Sequence, residues 1–236
     1  SYEYYQQLSQ TAIATNRQFN YETNVGAGLP VIDTIRNLLR AGDSLLKFEG
    51  ILSGSMSYIF GKLDEGLPLS QAVSKARDKG FTEPDPRDDL SGMDIARKVL
   101  IIAREAGLEL ELEDVQVDSL LTSELINCAS IEDFMQKLPE LDEPMRLLSQ
   151  QATQDDSVLR YIGIVSDDKC LVKIEKVARS SALYSVKDGE NAISFYSTYY
   201  QPIPMVLRGY GAGADVTAAG IFADVIKILP AKSSFV

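Results

Sequence analysis

The chain contains no histidine, and its only cysteines are Cys128 and Cys170. Without imidazole, serine and cysteine triads, most zinc chemistry and histidine acid–base catalysis are excluded together. Proton transfer must then fall to carboxylates, lysines or tyrosines. Two cysteines far apart in sequence supply neither a disulfide framework nor a paired-thiolate metal site, which fits a reducing cytoplasm. No apolar run approaches the roughly 20 residues that span a bilayer, and the N-terminus lacks the basic-then-apolar layout of a signal peptide. A soluble protein with no membrane partner is expected. Positive charge is also scarce: 23 Lys and Arg face 34 Asp and Glu, for a formal net charge of -11. Bulk electrostatics therefore opposes nucleic acid and anionic membranes, and any anionic ligand must be captured locally.

What is present suffices for a substantial core. A length of 236 residues with 45% hydrophobic content fits one large domain or two small ones. The pattern predicts a helix over residues 2–16, a short strand from Phe19 to Thr23, and a turn at Gly26-Ala27-Gly28-Leu29-Pro30. A helix follows, with Pro30 in its first turn and Val31, Ile32, Ile35, Leu38 and Leu39 at helical spacing. Gly42 stops it before an apolar strand from Leu45 to Leu52. Ser53-Gly54-Ser55 leads into another helix, and Leu69–Lys79 into one that stops at Gly80. Met93, Ile95, Ala96, Val99, Leu100 and Ile102 give the stretch from Ser91 to Ala106 a broad buried face. The acidic segment between Leu108 and Asp156 is mostly helical in pattern. Val158–Val165 and Cys170–Val177 flank Ser166-Asp167-Asp168-Lys169 as a hairpin. Strands at Ala192–Thr198 and Ile203–Leu207, then a helix from Asp215 to Ile228, complete an α/β or α+β chain with a mixed sheet.

The densest chemical signal runs from Gly80 to Lys98. Glu83, Asp85, Asp88, Asp89 and Asp94 crowd into twelve residues, with two prolines expected to hold the loop extended. Asp94 and Lys98, four apart, share a helix face, so the acid can position the ammonium. A lysine ammonium can protonate a carbonyl oxygen that is becoming an alcohol, while neighbouring carboxylates hold a substrate's ammonium. A plainer account competes. Ser91 with Asp94 matches a capping box, Asp88 and Asp89 suit a helix N-terminus, and an exposed Asp94–Lys98 pair is worth only about 0.3–0.5 kcal/mol. Hard-cation binding is a third option, although the spacing is not that of a calcium loop.

The run from Glu83 to Lys98 resembles the signature of homoserine dehydrogenases. Three other segments agree in order: Glu22 to Pro30, Gly50 to Ile59, and Gly209 to Gly220. The similarity covers nearly the whole chain, and its wording is nearest the C-terminal region of bacterial bifunctional aspartokinase/homoserine dehydrogenases. The resemblance implies NADP- or NAD-dependent interconversion of aspartate 4-semialdehyde and L-homoserine. It places Lys98 as proton donor, Glu83 and Asp94 as substrate-binding carboxylates with Asp89 in the same pocket, and Ser53, Gly54 and Ser55 at the substrate's carboxylate. Gly80 and Gly213 fall where backbone approaches the cofactor. Glu22, Val25, Ala27 and Leu29 match a monovalent cation site. Glycines at these positions also suit ordinary turns, Glu22 an ordinary strand end, and the serines near Gly54 a helix cap.

One part of the family pattern is missing. Nothing supplies the strand, glycine-rich turn and helix that bind a dinucleotide. The resemblance places that domain and a second active-site lysine before Ser1. It implies that residues 1–24 and 209–236 belong to the nucleotide-binding domain and 25–208 to a substrate-binding and dimerisation domain, with a homodimer formed through the mixed sheet. The fragment alone is expected neither to bind NADPH tightly nor to turn over. The competing expectation is a non-catalytic dimerisation module of a larger biosynthetic enzyme.

Overall fold

The hairpin at Ser166–Lys169 organises one half of the sheet. In the computed structural model, which describes residues 1–229, Asp167 and Asp168 have φ of 50° and 59°. A two-residue hairpin turn of this kind needs positive φ at both central positions, which aspartate tolerates better than most residues. The turn joins β3 (Ser157–Ser166) to β4 (Lys169–Ala178). β1 (Leu45–Ile51) lies antiparallel between β3 and β5 (Glu190–Ser197). β6 (Met205–Tyr210) extends the sheet past β5, and β2 (Val115–Val117) runs parallel to β4 at the other edge. The order is β2-β4-β3-β1-β5-β6, a mixed sheet by virtue of one short parallel pair.

The helices are α1 (Tyr2–Ala14), α2 (Val31–Arg40), α3 (Gly54–Asp64), α4 (Leu69–Asp78), α5 (Pro86–Leu90), α6 (Met93–Glu105), α7 (Ser123–Ile126), α8 (Ile131–Lys137), α9 (Asp142–Gln154) and α10 (Ala214–Ile228). α3, α6 and α9 cover one face of the sheet. α6 buries Ile95, Ala96, Val99, Leu100, Ile102 and Ala103, each large aliphatic contributing roughly 1.5–3 kcal/mol. It comes close to β3 because residue 163 is glycine: a Cβ there would stand 2.4 Å from Val99 Cγ2. Gly92, with φ 77°, starts α6 and leaves room for the Tyr161 hydroxyl, which donates to the Asp118 carbonyl at 2.9 Å. Two strand residues thus fix the height and start of the helix that carries Lys98. On the other face, Ile51, Ile162, Ile164 and Ala192 pack beneath Leu183 and Val186.

Four expectations are corrected. Phe19–Thr23 is not a strand; it is irregular and then forms a 3-10 turn at Glu22–Asn24, because Glu22 turns inward to cap α2 while its own N–H donates to Asp224 at 3.0 Å. The proline-rich loop is not extended throughout, since Asp85 caps the short α5, with Pro86 in its first turn. Ser91 and Asp94 form no capping box: α6 starts one residue later, at Gly92, and Asp94 turns to Lys98. The last strand begins at Met205 rather than Ile203, after Pro204, which has no N–H to give to a ladder. β2 was not foreseen inside the acidic segment. Residues 230–236, the end of the expected C-terminal segment, lie outside the described residues.

Candidate active site

Ser53 has extended backbone and caps α3, its hydroxyl accepting the Met56 N–H at 3.3 Å. The expected capping role is therefore real, but the serine does more. Its Oγ lies 2.8 Å from Ser55 Oγ, and Ser55 donates to Asp89 Oδ1 at 2.6 Å, a short charge-assisted bond. The other Asp89 oxygen accepts the Glu83 N–H at 2.9 Å. This chain of bonds ties the α3 turn to the acid-rich loop. Burial raises the Asp89 pKa above the ordinary carboxylate range; the bonds from Ser55 and Glu83 oppose the rise, and the Glu83 and Asp94 charges add to it. A partly buried carboxylate thus sits beside the exposed charges of Glu83 and Asp94, an arrangement that favours a cation.

Lys98 projects from α6 toward the end of β1. Its Nζ donates to the Leu52 carbonyl at 2.9 Å and pairs with Asp94 at 2.7 Å, with side-chain exposures of 19% for the lysine and 56% for the aspartate. An ammonium has three donors. Two are held, and the third has no acceptor among the described residues. The Leu52 carbonyl was the part of this arrangement that residue spacing did not reveal, because the strand end becomes its partner only through the fold.

Gly54 also belongs to this corner: a Cβ there would stand 3.2 Å from the Gly189 carbonyl. Gly189 in turn lies under Phe81, whose ring stacks on Tyr58 at 4.6 Å. The Glu83 side chain is exposed and accepts no hydrogen bond from a described residue. Gly80 and Gly213 have positive φ, 71° and 126°, and no cluster residue lies within 4 Å of where a Cβ would stand on either. Both are open backbone, accessible to a ligand.

The Glu22 segment forms a separate group. Its buried carboxylate accepts the Ile32 and Asp33 N–H groups at 2.7 and 2.8 Å, capping α2. Burial raises its pKa, against those two bonds. The carbonyls of Val25 and Ala27 accept no hydrogen bond from a described residue, whereas that of Leu29 accepts the Val31 N–H at 2.8 Å. One carboxylate with spare lone pairs and two free carbonyls suit a monovalent cation; the Leu29 carbonyl is partly engaged.

A groove of about 930 Å³ between the end of α3 and α9, lined by Asp64, Asp142, Arg146 and Gln150 among others, contains none of these residues. The corner at Lys98, where the residues singled out by the sequence meet, is the better candidate.

The family model for homoserine dehydrogenase matches residues 30–226, and the chain belongs to that family. It is 59% identical over 226 residues to a bifunctional aspartokinase/homoserine dehydrogenase of Haemophilus influenzae, covering 96% of this chain and 28% of that protein. A homoserine dehydrogenase of Paracoccidioides brasiliensis is 40% identical over 240 residues, covering 97% of this chain and 64% of that one. A hyperthermophilic archaeal homoserine dehydrogenase, solved in complex with NADPH, superposes with a TM-score of 0.71 at 25% identity, covering 96% and 60%. The chain thus spans just over a quarter of the bifunctional relative. Among the described residues, no helix is long and apolar enough to cross a membrane.

Proposed function

We propose that this chain carries the amino-acid pocket and proton donor of an enzyme interconverting L-homoserine and aspartate 4-semialdehyde. The observation that carries the reading is the Lys98 ammonium, held by Leu52 and Asp94 with one donor to spare. Glu83, Asp89 and Asp94 would hold the substrate's ammonium, and Ser53, the Gly54 backbone and Ser55 its carboxylate. Lys98 would then give a proton to the aldehyde oxygen in reduction and take it back in oxidation. A bound NADPH or NADH would supply the hydride. Gly80 and Gly213 offer open backbone for its approach. Glu22, with the Val25, Ala27 and Leu29 carbonyls, would hold a monovalent cation that steadies the start of α2.

The ends of the chain are read as parts of a cofactor-binding domain. α1 buries no residue and α10 only Gly220, which supports that division. The isolated chain would then bind NADPH weakly and not turn over, and the sheet would mediate a homodimer. The decisive experiment joins this chain to the cofactor-binding region of the H. influenzae relative and follows NADPH consumption with aspartate 4-semialdehyde. Lys98→Met should lower kcat by about 10²–10⁴-fold, the usual range for a positioned acid. An unchanged kcat would leave only the dimerisation-module reading.

A further inference from the structure

Asn191, the second residue of β5, is 0% exposed, and neither its Nδ2 nor its Oδ1 has a hydrogen-bond partner. Buried amides in native proteins are almost always paired, so an orphaned one calls for a reason. Its place in the sheet supplies two neighbours. The β1–β5 register runs Gly50 to Ile193 and Ile51 to Ala192; continued one residue past the end of β1, it brings Asn191 to the level of Leu52, whose carbonyl holds Lys98. Side chains alternate along a strand, and Asn191 therefore shares its face with Ile193 of the main core, the face that α6 covers.

On the other side lies the glycine loop between β6 and α10. A Cβ on Gly211 would stand 1.9 Å from both Cγ and Nδ2 of Asn191, so the loop passes directly over the amide, and only glycine permits it. The N–H groups of Gly211, Ala212 and Gly213 donate to no described residue. An unpaired amide thus lies beneath a loop whose backbone donors are themselves unpaired. Gly213 has no described neighbour nearer than 3.6 Å to a would-be Cβ, so the loop has room to shift.

We infer that Asn191 is a positioning residue coupling the amino-acid pocket to the glycine loop. When an α-amino acid occupies the pocket, the Asn191 Oδ1 accepts a backbone N–H of Gly211–Gly213 and its Nδ2 donates to a loop carbonyl. The loop is then fixed in place for the cofactor. The inference rests on the homoserine reading of the pocket and adds to it a residue through which the pocket sets the geometry of Gly213.

The test is hydrogen exchange of the Gly211, Ala212 and Gly213 amides in this chain, with and without L-homoserine, alongside calorimetric titration of the same ligand. L-homoserine should slow loop exchange about tenfold, the factor one net hydrogen bond carries. Asn191→Leu should abolish that protection and, because the coupling is reciprocal, weaken homoserine binding by up to about the same tenfold, while the Phe48 and Phe195 amides stay unchanged. Asn191→Asp keeps an acceptor and should retain part of the protection. Gly211→Ala, which pushes the loop off the amide, should lose it and serves if the leucine variant folds poorly. Homoserine binding without loop protection in the unaltered chain would overturn the inference, as would full protection in the leucine or alanine variant. Failure of the unaltered chain to bind L-homoserine would instead remove the pocket itself, and the inference with it.

Discussion

α6 and α10 begin alike and end differently. Each follows a glycine with positive φ, Gly92 at 77° and Gly213 at 126°, and each runs for three or four turns. α6 buries six residues against β3 and carries Lys98. α10 is the more apolar helix, yet it buries only Gly220 and exposes Ile221, Phe222, Val225, Ile226 and Ile228. Two glycines let it approach the chain closely, since a Cβ on Gly28 would stand 2.3 Å from the Val216 carbonyl and one on Gly220 2.6 Å from Thr23 Cγ2, and Asp224 and Lys227 add polar ties to Glu22 and Asp33. The difference teaches that an apolar helix reports the need for a cover without saying what provides it. The corner at Lys98 is assembled from α3, the acid-rich loop and α6, whereas α10 leaves an apolar surface exposed.

The comparison can be broken from either side. The largest expected effect is the fall in kcat for Lys98→Met already described, accompanied by a stability loss of about 0.5–1.5 kcal/mol for the bond to the Leu52 carbonyl. Gly163→Val should come next. The new side chain overlaps Val99, and such overpacking costs about 1–3 kcal/mol, seen as a lower denaturation midpoint together with weaker L-homoserine binding. Stability unchanged by that substitution would mean that α6 is not fixed by its contact with β3. Glu22→Ala removes the carboxylate that caps α2 and should cost about 0.5–2 kcal/mol, measured by urea unfolding, without altering homoserine affinity.

Asp89 gives a pH-dependent test. Burial raises its folded pKa above the unfolded value, so folding favours the protonated acid. That contribution is fully present below the unfolded pKa and is lost as pH rises through the elevated folded value. Asp89→Asn should flatten this part of the stability profile while weakening L-homoserine binding, a trade of function against stability. A profile identical to that of the unaltered chain would contradict the burial argument. The smallest effect is expected at α10. Phe222→Ser should shift stability by no more than about 0.5 kcal/mol, as surface positions do, and a larger loss would mean that α10 is integral to the core.

The sequence made the middle of the molecule legible because its patterns are local. The apolar run of Val158–Val165, the two turn aspartates, and the helical spacing of Ile95, Val99 and Ile102 each encode their element within a few residues. The carboxylates and Lys98 were visible for the same reason: they lie within one short stretch. What escaped depends on distant partners. Glu22 abandons a strand because the α2 N-terminus needs a cap, β2 exists because β4 offers an edge, and the Leu52 carbonyl meets Lys98 only after β1 and α6 pack. Asn191 gave no signal, since a lone asparagine in a strand reads as polar filler until its neighbours prove unable to pair with it.

The most direct test of the account is a calorimetric titration of L-homoserine into the 236-residue chain and two variants, Asp89→Ala and Phe222→Ser. If the substrate corner is complete within this chain, the unaltered protein and the Phe222 variant bind the amino acid and the Asp89 variant does not. No binding by the unaltered chain, or equal binding by all three, would contradict it.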